Sequence, residues 1–246
     1  MNRALRTFGV LTAGLLLVGG LAHTPAVADE ATPDPAAPTV AVGACHDLTL
    51  AQISEHSIPV EPVDCAVAHT ARVIAVATLP AELTWASPAS RIQATASATC
   101  MSALGKLVGT NPLLQARAQY TIAWYQPSDA QVAAGARWYT CHVIVPQDDR
   151  LADLPDTLPR LSKKTPDSVA RCAAARTMAF TTCADKHAWR TTYSFYVNKK
   201  PSEKNGIAAA RAVCPRHVPN VRKSIYSWHP VSAKKFVTVC YAKTKR

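Results

Sequence analysis

Eight cysteines, all beyond residue 44, constrain this chain more than any other feature: Cys45, Cys65, Cys100, Cys141, Cys172, Cys183, Cys214 and Cys240. The number is even and no C-x-x-C occurs, so four disulfides are a better reading than a metal cluster. Disulfides need an oxidising compartment, and the N-terminus spells a route to one. Arg3 and Arg6 precede an apolar run from Phe8 to Ala22, and Ala26-Val27-Ala28 forms a small-x-small cleavage site before Asp29. The run, about 15 residues long, falls short of the roughly 20 that a spanning helix needs. We therefore expect a signal peptide over residues 1–28 and a secreted, extracytoplasmic chain after cleavage near Ala28. The alternative is a membrane anchor formed by the uncleaved signal.

Two Pro-rich stretches organise the remainder. Residues 29–41 read as a Pro/Ala-rich spacer, and residues 148–167 (DDRLADLPDTLPRLSKKTPD) as a linker. They delimit two segments, 42–147 and 168–246, with four cysteines each. Both segments carry C-A-x-x-H-x-x-R after their second cysteine, from Cys65 to Arg72 and from Cys183 to Arg190. Both then show a strand-like run, an Ala-rich helical stretch with the third cysteine, an aromatic-x-Pro-x-x-Ala turn and a closing strand with the fourth cysteine. The turns are Tyr125–Ala130 and Trp228–Ala233. Four landmarks in the same order point to a duplication.

The periodicity predicts an α+β fold of two tandem small modules. Each would be a short antiparallel sheet with one main packed helix, stapled by disulfides. Ile92, Ala96, Cys100, Leu104 and Leu107 recur at helical spacing. Tyr139, Cys141, Val143 and Val145 alternate onto one strand face. A helix face meeting a sheet face brings Cys100 to Cys141. In the second segment, Ile207, Ala210 and Cys214 on a helix and Phe236, Cys240 and Ala242 on a strand bring Cys214 to Cys240. Cys45–Cys65 and Cys172–Cys183 then remain, although four cysteines in a segment allow three pairings.

Val42-Gly43-Ala44-Cys45-His46-Asp47-Leu48, Cys65-Ala66-Val67-Ala68-His69-Thr70-Ala71-Arg72-Val73, the helical Cys100, and Gly135-Ala136-Arg137-Trp138-Tyr139-Thr140-Cys141 together resemble the septum-formation domain family. That family is found among exported and membrane-tethered proteins of high-GC Gram-positive bacteria. The resemblance covers roughly residues 42–145 and, more faintly, 170–242. It implies an α+β fold with paired disulfides and a link to cell division, with no established reaction. The chain departs from the usual pattern. Ala44 stands where an acid is usual, Ala68 and Lys186 where proline is usual, and Arg72 and Arg190 where an acid follows the histidine. A ligand role for that acid does not carry over.

Catalytic signatures are scarce. There is no G-x-S-x-G and no H-E-x-x-H, and Ser232-Ala233-Lys234-Lys235 fits S-x-x-K without its companion motifs in order. His69 and His187 are candidate binding residues. Each can face a ligand or, more simply, hold its local turn, since no carboxylate or second histidine shares the spacing. Arg72 and Arg190 can hold an anion or stand as solvated strand ends.

Charge is the stronger pointer. Residues 41–150 carry a net −2, whereas residues 163–246 carry a net +15 within a total of +11. A small domain needs a magnitude of only about 2–8 for solubility. Lys199, Lys200, Lys204, Arg211, Arg216, Arg222 and Lys223, interleaved with Trp189, Tyr193, Tyr226 and Trp228, form a candidate polyanion surface. We expect a non-enzymatic cell-envelope binding protein without a cofactor. Its partner would be an anionic wall polymer, an anionic lipid or an acidic envelope protein, and not nucleic acid. An envelope hydrolase using His69 or His187 and a secreted inhibitor or effector are the alternatives.

Overall fold

Two strands precede the first helix. β1 (Cys45–His46) pairs antiparallel with β2 (Ala71–Thr78), placing Cys45 opposite Arg72. The structure, a computed structural model, describes residues 37–38, 40–175, 177–219 and 224–244. The expected signal peptide and most of the spacer lie outside the described residues.

Helix α1 (Ala89–Val108) is rich in alanine, a good helix former, and stops at Gly109, whose φ of 117° suits glycine. Its buried row is Ile92, Ala96, Cys100, Leu104 and Val108. Leu107, expected on this face, is exposed. A row taken strictly every fourth residue runs oblique to the helix axis, so by the last turn position 108 has replaced 107 above the sheet.

Three short elements follow. In α2 (Pro112–Gln115), Asn111 caps the N-terminus by accepting from the Leu113 amide. β3 (Thr121–Tyr125) leads into α3 (Asp129–Ala133), where Ser128 and Gln131 form a reciprocal capping box. β4 (Trp138–Ile144) then completes a sheet of order β1-β2-β4-β3, antiparallel throughout. Every residue of β4 is buried, so the one-sided alternation expected of it is replaced by burial on both faces. Tyr139 and Cys141 meet Ile92, Ala96 and Cys100 of α1. On the opposite face Ile144 packs with Leu48, Tyr125 and Leu151.

The Pro-rich stretch read as a linker is laid down as a strap on this first sheet. A small hairpin, β5 (Pro146–Gln147) with β6 (Arg150–Leu151), starts it. Leu151, Leu154 and Leu158 are buried, and Leu154 and Leu158 share a core with Leu104 and Val108. The Leu154 amide donates to the His69 carbonyl at 2.8 Å, and the Leu161 amide to that of Val108 at 2.7 Å.

The second sheet is built from β7 (Arg171–Ala173), β8 (Phe180–Thr182), β9 (Trp189–Val197), β10 (Ser224–Ser232) and β11 (Lys235–Lys243), in the antiparallel order β10-β11-β9-β7-β8. Helix α4 (Glu203–Val213), capped by Ser202, packs on β10 and β11. Here the second half departs from the expected turn. In the first half Tyr125-Gln126-Pro127 does leave a strand for α3, but Trp228-His229-Pro230 runs on as strand, with Pro230 opposite Phe236 and a bulge before Ser232. Proline is tolerated there because β10 is an edge strand.

Four disulfides join Cys45 to Cys65, Cys100 to Cys141, Cys172 to Cys183 and Cys214 to Cys240. Face-matching accounts for Cys100–Cys141 and Cys214–Cys240, and the other two bridges join the cysteines that remain. The described residues belong to one compact unit. Across the seam between the sheets, Ala118 bridges Ala170, and the Arg171 amide donates to the Arg117 carbonyl at 2.9 Å. Ala116 shares an apolar cluster with Val237, Val239 and Tyr241.

Candidate functional site

The repeated C-A-x-x-H-x-x-R pattern makes the same local bond twice. Nδ1 of His69 lies 2.9 Å from the Val67 carbonyl, and Nδ1 of His187 lies 2.7 Å from the Asp185 carbonyl. Both rings are buried. A guanidinium can only donate, so Nε2 of His69 accepts from Arg72 Nη2 at 3.2 Å, and Nδ1 carries the ring proton. Arg72 also donates to the Asp156 and Pro155 carbonyls, at 2.7 and 3.4 Å. His69 and Arg72 therefore bind the strap to β2, and Arg72 is not the solvated strand end of the simpler sequence reading. Arg190 instead pairs with the Asp167 carboxylate at 2.6 Å.

The remaining cationic candidates lie on the surface. Lys199, Lys200, Lys204, Arg211 and Arg216 are exposed. Lys199 and Lys200 follow the end of β9, and the β10–β11 turn at Lys234 comes back beside them, because Phe236 is in register with Val197. Lys235 Nζ sits 3.8 Å above the Tyr196 ring, a cation–π contact. Arg211 and Arg216 stand at the other end of α4. Arg222 and Lys223 lie outside the described residues.

The fold assembles a second group, of which sequence reading had singled out Arg190 alone. Arg117, Lys163, Lys164 and Arg190 surround a cavity of ≈ 290 Å³ at the seam, with Thr165 and Thr191 as neutral polar walls. Nε of Arg117 is buried without a partner. Burial, reinforced by the neighbouring charge of Arg190, holds the Arg117 guanidinium below its ordinary range. Among the described residues the ion pairs are Arg150 with Asp149 and Asp185, and Arg190 with Asp167. Asp167 is thus the carboxylate partner in this cluster, beside four cations. An arrangement of this kind favours an incoming anion. Arg117 escaped notice because it belongs to the half of the chain with a net negative charge. Lys163 and Lys164 were visible as an adjacent pair, but they sat in a stretch read as a linker.

Gly135-Ala136-Arg137 also acquires a physical account. Gly135, at φ 96°, ends the turn after α3. Arg137 Nη2 then donates to the carbonyls of Leu79, Pro80 and Leu83 at 3.2, 2.8 and 2.9 Å. The motif closes the loop after β2 immediately before the strand that carries Cys141.

A family model described as septum formation matches residues 86–225, more than half of the 246-residue chain. The match starts beyond the first two cysteines, crosses the strap and includes the whole cationic cavity. No curated protein and no solved structure matches.

Proposed function

The chain belongs to the septum formation family, and from that premise we propose that it is an exported, non-enzymatic binding protein of the cell envelope that holds an anionic envelope polymer. The family ties it to the envelope and to cell division. The observation that carries the binding reading is the cavity of Arg117, Lys163, Lys164 and Arg190, four cations around one opening. Lys199, Lys200, Lys204 and Lys234 extend the positive surface over the second sheet. Each lysine or arginine near an anionic surface contributes about 1 kcal/mol. An anionic lipid and an acidic envelope protein are the competing partners.

Retention on purified cell wall and on anionic vesicles tests this reading. Binding to wall should fall steeply between low and moderate salt. The double variant Lys163→Glu/Lys164→Glu should weaken it at least tenfold. Binding that ignores salt, or that the double variant leaves unchanged, defeats the proposal. Preferential retention on vesicles would transfer the site to lipid. A hydrolase using His69 or His187 is the alternative reading: in the His69→Ala/His187→Ala variant an enzyme loses turnover, whereas a binder keeps its retention.

A further inference from the structure

A second cavity, sharing no lining residue with the first, lies at the seam on the α1 side. Its volume is ≈ 230 Å³. One wall comes from α1 and the strap, with Met101, Leu104, Val108 and Leu161, and the facing wall from Val231 and Val237. The ionisable lining at its polar end is Arg171 of β7 and His229 of β10, and Gln115, Tyr120 and Thr121 add neutral polar groups.

The polar end is held by neighbours of defined role. Arg171 Nε donates to Gln119 Oε1 at 3.0 Å and Nη1 to His229 Nε2 at 3.0 Å. Its guanidinium carbon stands 5.2 Å from the centroid of the Phe180 ring. Ser227 Oγ lies 3.0 Å from the Tyr241 hydroxyl and 3.3 Å from His229 Nε2. Every one of these partners is neutral. Among the described residues no carboxylate stands within ion-pair distance of Arg171. Burial holds its guanidinium below the ordinary range, with Tyr241 opposing. Burial and Arg171 likewise hold His229 at about 4, so its ring is neutral at physiological pH. A desolvated cation without a counter-ion is costly to maintain, and an anion entering from the cavity removes that cost.

We propose that this cavity binds a small amphiphilic carboxylate, its head on Arg171 and His229 and its hydrocarbon chain against Met101, Leu104, Val108 and Val231. One uncompensated cation matches a monoanion better than a dianionic phosphate, and a guanidinium fork suits a carboxylate. At about 30 Å³ per water-sized group, the cavity takes about eight such groups, the size of a six-carbon acid. The apolar walls reward each methylene buried.

Calorimetry and NMR titration of the full chain with acetate, hexanoate and hexanol supply the test. Hexanoate should bind at least tenfold more tightly than acetate, which lacks the chain, and than hexanol, which lacks the charge. Shifts should centre on Met101, Val231 and His229. Val231→Trp places a ring at the exposed rim and should abolish hexanoate binding while leaving wall retention intact. Arg171→Gln should weaken hexanoate at least tenfold; if that variant does not fold, Val231→Trp decides. No hexanoate binding, equal binding of all three probes, or binding that survives Val231→Trp overturns the proposal. Wall retention tests the polymer reading separately, so either can fail without the other.

Discussion

The imidazoles of His46 on β1 and His142 on β4 lie with ring centroids 5.2 Å apart, fully buried on the first sheet. Neither nitrogen of His46 has a partner, and His142 bonds only Thr140 Oγ1 through Nε2, at 3.0 Å. Burial, then the neighbouring His46, pushes His142 down to about 3; burial also lowers His46. Unfolded histidine takes its proton near pH 6.5, so this term is fully present above that pH. It is lost as pH falls from 6.5 towards 3. The loss from His142 reaches about 5 kcal/mol. Urea unfolding midpoints at pH 7.0, 5.5 and 4.5 should decline in that order. His46→Leu should flatten the decline and, by removing an unsatisfied polar group, leave stability at pH 7 equal or about 1 kcal/mol higher.

Removing bridges should rank by loop length. Cys100–Cys141 closes 41 residues against 11 for Cys172–Cys183, and both bridges are buried. Chain entropy alone gives about 4 and about 3 kcal/mol, and a cavity between α1 and β4 adds to the first. Thermal unfolding of the paired Cys→Ala variants should show the larger drop for Cys100/Cys141.

Arg137→Ala leaves three carbonyls of the loop after β2 without their shared donor. A loss of about 2 kcal/mol is expected. Hydrogen exchange should show faster amides over residues 79–85, with wall retention unchanged.

Gly206→Ala sets two effects in opposition. Alanine gains about 1 kcal/mol of helix propensity over glycine. A Cβ at Gly206, however, would stand 2.7 Å from Trp228 Cδ1, and that rigid ring also packs edge-on against Phe236 at 6.0 Å. Overpacking costs about 1–3 kcal/mol, so the variant should be less stable, and near-ultraviolet circular dichroism should report a displaced Trp228.

What was legible in the sequence follows from periodicity. The disulfide partners could be read because Cys100 lies on a helical ladder and Cys141 on an alternating strand, and the α+β class came with them. Leu107 was misplaced because its last step was taken as three residues, where the buried row keeps its step of four to Val108. The strand through Pro230 was hidden because a proline at a sheet edge carries the same local signal as a turn. The strap could have been found: Leu151, Leu154, Leu158 and Leu161 recur every three or four residues within its prolines. Arg117 and Arg171 could not, because each becomes a site residue only where elements distant in the chain meet.

The four bridges join the cysteines strictly in the order in which they occur, first to second, third to fourth, fifth to sixth and seventh to eighth. No loop closed by one bridge encloses or overlaps another. A chain threaded N-terminus first through a narrow exit would offer each cysteine its native partner next. An oxidising catalyst waiting outside would complete each pair in turn, and no isomerase would be required to undo a premature crossing.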